Sequence, residues 1–178
     1  MRFAAFICAS FKQFALTVVQ EQGDKIMFEV LVFMFENYLA NHALPANDVM
    51  EQELSAAGFE QNDILGAFDW YEEMQTRLSK SNVAYSHAYS GFRVFSELEL
   101  KKLSIESISF VLFLHQANVI NNMERDLVVD RAMALKQQSV KVEEMRWIVM
   151  IALWNEGREK DYLFVEDAIF NPRGLTVH

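Results

Sequence analysis

The chain has 178 residues, 52% of them hydrophobic and 23% charged, with a formal charge of −9. That length and apolar content exclude disorder over most of the chain and allow a core that buries roughly two-thirds of the unfolded surface without staples. Only six glycines and two prolines stand against many Leu, Met, Phe, Glu and Ala, so an all-α, compact multi-helix protein is predicted.

Residues Arg2 to Val19 imitate a secretory signal, a basic residue followed by an apolar run. Lys12 interrupts that run, and the remaining pieces are too short for a signal core or a membrane span. Gln22-Gly23-Asp24 can be encoded CAA GGA GAT, which contains the purine-rich AAGGAG of bacterial start sites, and Asp24, Lys25 and Ile26 supply a spacer before Met27. Residues 1–26 are therefore expected to be a translated leader outside the fold. With a start at Met27 the one cysteine, Cys8, is lost, and disulfides, thiolate zinc sites and cysteine catalysis go with it. A cytoplasmic protein without a membrane segment is expected.

From Phe28 on, Phe28, Leu31, Val32, Phe35, Tyr38 and Leu39 recur at helical spacing, and Val30, Phe33 and Met34 widen the stripe to a helix buried on most sides. Pro45 lies in a loop. Asn47 or Asp48 is expected to cap a second helix with Val49, Met50, Leu54 and Ala57 inward, stopped by Gly58. A third helix from about Asn62 carries Ile64, Phe68, Tyr71 and Leu78, with Leu65 and Met74 beside them. Residues 27–78 thus read as an acidic three-helix subregion. It holds ten acids and one base, a net −9, whereas residues 79–178 hold thirteen acids and twelve bases.

Residues 79–92 contain SKSNVAYSHAYSG, serine-rich and without periodicity, and read as a linker. In the C-terminal helical subregion, 93–170, Ser96 and Glu99 have the form of a capping box. A further helix is predicted with Ile105, Ile108, Val111, Leu112 and either Leu114 or His115 on its buried side. Asn121 and Glu124 form a second box, opening a helix with Leu127, Val128, Arg131, Ala132 and Leu135 inward. Val142 to Trp154 is the most apolar helix and is expected at the centre. After a polar turn at 155–160, a last helix from Asp161 to about Phe170 ends at Asn171-Pro172, and 171–178 form a tail.

His42, His87, His115 and His178 have no spacing that would join two ligands on one helix, so no metal is expected. Glu72-Glu73 and Glu143-Glu144 are adjacent pairs that point about 100° apart and cannot bracket one bond. No glycine-rich phosphate loop, dinucleotide fingerprint or nucleophile elbow is present, so neither a cofactor nor a catalytic residue is assigned. Trp147 and Trp154 lie two turns apart on one helix and read as packing residues. Trp70, between Asp69 and Tyr71, reads as the better exposed anchor. The helix pair at 105–117 and 122–135 has the outline of a helix-turn-helix, but its second helix opens with Glu124, Arg125 and Asp126, a poor set for reading DNA.

The segments MFEVLVFMFENYLA, ELSAAGFEQNDILGAFDWYEEM, RVFSELE, ERDLVVDRAMAL and EEMRWIVMIALWN, in that order, resemble the bacterial Smg family, from Met27 to about Phe170. The resemblance implies a small, predominantly helical cytoplasmic protein with no assigned reaction, cofactor or catalytic residue. The neighbourhood of its genes implies a connection with nucleic-acid processing. Where relatives tend to have an acidic cap before the last segment, this chain has Lys141, which cannot accept a backbone N–H.

The functional expectation is an adaptor that binds a basic protein through the acidic subregion, with Glu51, Glu53, Trp70, Glu72 and Glu73 as contact residues. The alternative is direct nucleic-acid binding by the C-terminal subregion through Arg125, Arg131, Lys136, Lys141 and Arg146. An active site assembled from distant helices would leave no local motif, and a buried polar pocket would be its sign.

Overall fold

The computed structural model describes residues 26–39, 44–81, 93–158 and 160–161. Among these the protein is all-α, with helices α1 (Ile26–Asn37), α2 (Asn47–Ala56), α3 (Gln61–Ser81), α4 (Glu97–Lys102), α5 (Ile105–Gln116), α6 (Asn122–Ala134) and α7 (Val142–Asn155). The expected leader up to residue 25, the linker from 82 to 92, and the last helix and tail beyond Asp161 lie outside the described residues. The described chain falls into two compact units, one ending at Asp69 and one beginning at Trp70, so the division runs through α3. That helix also continues to Ser81, three residues into the stretch expected to be linker.

In the first unit α1 buries Met27, Phe28, Val30, Leu31, Met34 and Phe35. An apolar surface that wide leaves little for solvent, as the stripe predicts. Met50 and Leu54 of α2 and Ile64 and Ala67 of α3 are buried as well. Three expectations for α2 are corrected: Ala57, expected inward, is exposed just past the end of the helix. Val49 is 42% exposed, and neither Asn47 nor Asp48 caps the helix, which begins behind Ala46 with no side-chain cap. The Ala46 carbonyl instead accepts the N–H groups of Val49 and Met50 at 3.0 and 3.1 Å. Gly58 does end this segment, at a φ of +97° that a side chain would strain.

In the second unit α7 packs against both α5 and α6. It buries Met145 and every residue from Trp147 to Leu153, and burying each large apolar side chain contributes about 1.5–3 kcal/mol. The capping boxes at Ser96 and Asn121 are formed: Glu99 Oε2 accepts the Ser96 N–H at 2.8 Å, and Glu124 Oε2 accepts the Asn121 N–H at 2.6 Å. Lys141 supplies no side-chain acceptor to α7, yet the helix starts where the periodicity places it. Glu144, 2% exposed, accepts the Lys141 N–H at 2.8 Å and satisfies that donor from inside the helix.

α5 differs from its predicted face. Ser107, Phe110, Val111 and Leu114 are buried, whereas Ile105 is 79% exposed. Ser107 can occupy the interior because its hydroxyl donates to the Val140 carbonyl at 2.9 Å. An isolated parallel bridge between Leu103 and Val140 fixes the break between α4 and α5 to the segment entering α7.

Candidate functional site

The residues expected to contact a partner fall in both units, Glu51 and Glu53 in the first and Trp70, Glu72 and Glu73 in the second. Trp70 is not an exposed anchor: it is 3% exposed, and its indole N–H donates to the Arg131 carbonyl at 2.9 Å. The buried positions of α3 are Ile64, Ala67, Trp70, Tyr71, Met74 and Leu78, with Phe68 half-buried. Glu51 accepts from Gln61 Nε2 at 2.6 Å, and Glu53 accepts the Tyr38 hydroxyl proton. Burial first, then that bond and the Glu53 charge, push the Tyr38 phenol up to about 12. Glu73 is held below the usual carboxylate range, first by Arg77 and then by Arg131. Glu72 remains on the surface.

The arginines of the nucleic-acid alternative are largely committed inside the second unit. Arg131, 3% exposed, binds Glu73 at 2.9 Å and Asp130 at 2.7 Å. Arg125, 5% exposed, binds Asp126 at 2.9 Å and Asn122 Oδ1 at 3.2 Å. Arg146 lies over the Phe110 ring, 5.8 Å from its centroid. Guanidinium groups so placed are poor ligands for phosphate, because binding would break existing ion pairs and expose buried charge. Only Lys136 and Lys141 of that set are exposed.

Two of the pockets among the described residues of the second unit are lined by charged groups. One, of about 520 Å³, is lined by Met123, Leu127 and Met133 together with Arg77, Arg93, Glu99, Asp126 and Asp130. Its charges answer one another: Arg93 binds Glu99 and Asp126, and Arg77 binds Asp130 at 3.3 Å. The other, of about 420 Å³, is polar but open to solvent rather than buried, with Gln75, Leu78, Ser79, Glu124, Asn155, Glu156 and Arg158 around it. Tyr71 Oη donates to Asn155 Oδ1 at 2.8 Å and accepts from Gln75 Nε2 at 3.1 Å. Glu124 and Glu156 meet there beside Arg158, and Glu156 is raised to about 7, by burial first and then by the Glu124 carboxylate. Such a pair can hold or release one proton near neutrality. Little in the sequence announces this pair, since Glu156 and Arg158 sit in a polar turn thirty-two and thirty-four positions from Glu124. No group of three or more His, Cys, Asp or Glu residues suited to a metal ion occurs among the described residues.

Among the described residues, the most exposed apolar side chains lie around α4. Val94 is 88% exposed, Leu98 72%, Leu100 57% and Ile105 79%, and α4 buries none of its own residues. The helix is held at its ends instead. Ser96 caps the start, while Lys102 Nζ donates to the carbonyls of Met133 and Leu135 at 2.9 and 2.6 Å. Arg93, bonded to Glu99, covers the Phe95 ring at 5.2 Å from its centroid. A rigidly capped segment thus presents four large apolar side chains within twelve positions to solvent.

No described helix is long and apolar enough to cross a membrane. Residues 27–178 match the model of a family described as a protein of unknown function (DUF494). The chain is 51% identical over 152 residues to a Protein Smg homolog of Methylobacillus flagellatus, an alignment covering 85% of this chain and 100% of that one. It is 37% identical over 157 residues to a Protein Smg homolog of Shewanella woodyi, covering 85% and 99%. The Alkalilimnicola ehrlichii Protein Smg homolog is 38% identical over 155 residues, covering 85% and 98%. No solved structure matches the chain.

Proposed function

The chain belongs to the DUF494 family of Smg homologues, a family of unknown function, and from that premise we propose that it is a non-enzymatic adaptor that captures a protein through its α4 surface. The observation that carries this reading is the exposure of Val94, Leu98, Leu100 and Ile105 around a helix that buries nothing. Single exposed apolar residues need no explanation, but a concentration of them on a capped, ordered segment marks an interaction surface. The acidic excess of residues 27–78 favours a partner with a basic surface, attracted at long range before contact. A place in cytoplasmic DNA or RNA processing would follow from such a partner.

The test is affinity capture of the tagged chain from its host after nuclease treatment, comparing the wild type with a Leu98→Asp, Ile105→Asp double variant. The expected result is a stoichiometric protein partner bound at least about 30-fold more weakly by the variant, the loss of a hot spot worth about 2 kcal/mol. Since both side chains are in solvent, the helical circular dichroism and the melting temperature should stay at wild-type values. Equal capture by both proteins contradicts the reading, as does a partner lost on nuclease treatment alone.

A further inference from the structure

The end of α7 is tied to the turn before α6 by ionisable groups rather than by packing alone. Glu124, 4% exposed, accepts the Asn121 N–H through Oε2 at 2.6 Å and Arg158 Nη1 through Oε1 at 2.5 Å. Arg158 Nη2 donates to the Val119 carbonyl at 2.5 Å, and its Nε donates to Asp161 Oδ2 at 3.0 Å. Glu156 Oε2 lies 3.6 Å from the same Nη1, with its side chain 12% exposed. Two carboxyl groups therefore converge on one nitrogen beside the 420 Å³ pocket.

We infer that Glu124, Glu156 and Arg158 form a proton-dependent clasp: with a proton held between the two carboxyls the last turn of α7 stays fastened to the turn before α6, and loss of that proton turns Glu156 out to solvent and frees it. With the proton in place, the Glu156 hydroxyl donates to the Glu124 carboxylate, and a single negative charge faces the guanidinium. Without it, two carboxylates compete for one cation that also serves Asp161. The other groups lining the pocket give no relief. From α3 they are Gln75, Leu78 and Ser79, and from the end of α7 Asn155, all uncharged.

The raised Glu156 value, about 7, supports this account: burial is the largest cause, the hydrogen bond and charge of Glu124 add to it, and Arg158 opposes them. Because the folded clasp binds its proton more tightly than the unfolded chain does, its contribution is complete below the ordinary glutamate range. It is lost as pH rises through about 7.

The experiment is a titration of the full chain from pH 4 to 9 by carbon-detected NMR of the glutamate carboxyls. It is paired with hydrogen exchange, corrected for intrinsic rate, at Gly157 and Arg158, whose N–H groups donate to Trp154 and Leu153 carbonyls at 3.0 and 2.8 Å. The expected results are a Glu156 midpoint near 7 and a loss of protection at these two amides approaching about tenfold between pH 6 and 8, the most that one proton with that midpoint can give. Glu156→Gln, whose amide keeps a donor and cannot ionise, should hold protection level over that range. Glu124→Gln should lower the Glu156 midpoint by at least one unit even where it weakens the cap of α6. A Glu156 midpoint below 5 overturns the clasp, as does an equal loss of protection in Glu156→Gln.

Discussion

A buried indole loses water at its N–H and needs an acceptor in return, and Trp70 finds one in the Arg131 carbonyl at 2.9 Å. Trp70→Phe keeps most of the buried ring and removes that bond, so it should lower stability by about 1 kcal/mol, whereas Trp70→Ala should cost about 3–5 kcal/mol through the cavity it leaves. Urea denaturation of the two variants distinguishes the two terms. Glu73 behaves oppositely, being on the surface with its carboxylate favoured by Arg77 and Arg131. Its contribution is present above the ordinary glutamate range and lost as pH falls below it. The sequence marked both residues but misjudged Trp70, because Phe68 and Tyr71 could satisfy the same stripe on paper. Glu156 and Arg158 were illegible for another reason: ion pairs between distant segments have no local spacing.

At the scale of helices, α4 is a six-residue segment that buries no residue of its own and depends on its two ends. Removing the cap with Ser96→Ala should cost about 1 kcal/mol of local helix stability, read as faster amide exchange within α4 while the global unfolding midpoint moves little. Lys102 acts at the other end, where its ammonium donates to two carbonyls at the close of α6. Burial pulls its pKa down, yet the charge sits where a helix dipole favours it. Lys102→Met should therefore cost about 1–2 kcal/mol and shift the global midpoint as well as α4 exchange. The capping boxes at Ser96 and Asn121 were legible in the sequence since each is a contact across three residues. The buried face of α5 was not, because Ser107 is a polar residue that a distant carbonyl at Val140 makes acceptable inside. Apolar periodicity therefore promoted Ile105 in its place.

Over the whole molecule, helix content, the central place of α7 in its unit and the order of segments follow from periodicity and caps, whereas the function-bearing surfaces follow from what packing leaves over. Charge shows the same division. The acidic excess was readable by counting, but the commitment of Arg125 and Arg131 to neighbouring carboxylates required their positions in space. Opposing titrations shape the pH dependence of stability, with Glu99 and Glu106, both held below the ordinary range, acting on the acid side together with Glu73. Glu156 withdraws stability as pH rises from the ordinary glutamate range through about 7, and Glu73 withdraws it as pH falls below that range. Denaturation midpoints measured from pH 3 to 8 should peak near pH 5, and Glu156→Gln should flatten the alkaline side of the peak alone.

The adaptor reading is tested most directly by a photo-cross-linking amino acid substituted at Leu98 in the intact chain and irradiated in the living host, with the same substitution at Glu51 and Glu72 for comparison. The expected result is one dominant covalent product between position 98 and a single host protein, with little at positions 51 and 72. Cross-links at 51 or 72 with none at 98 would contradict the account and return the partner to the acidic helices.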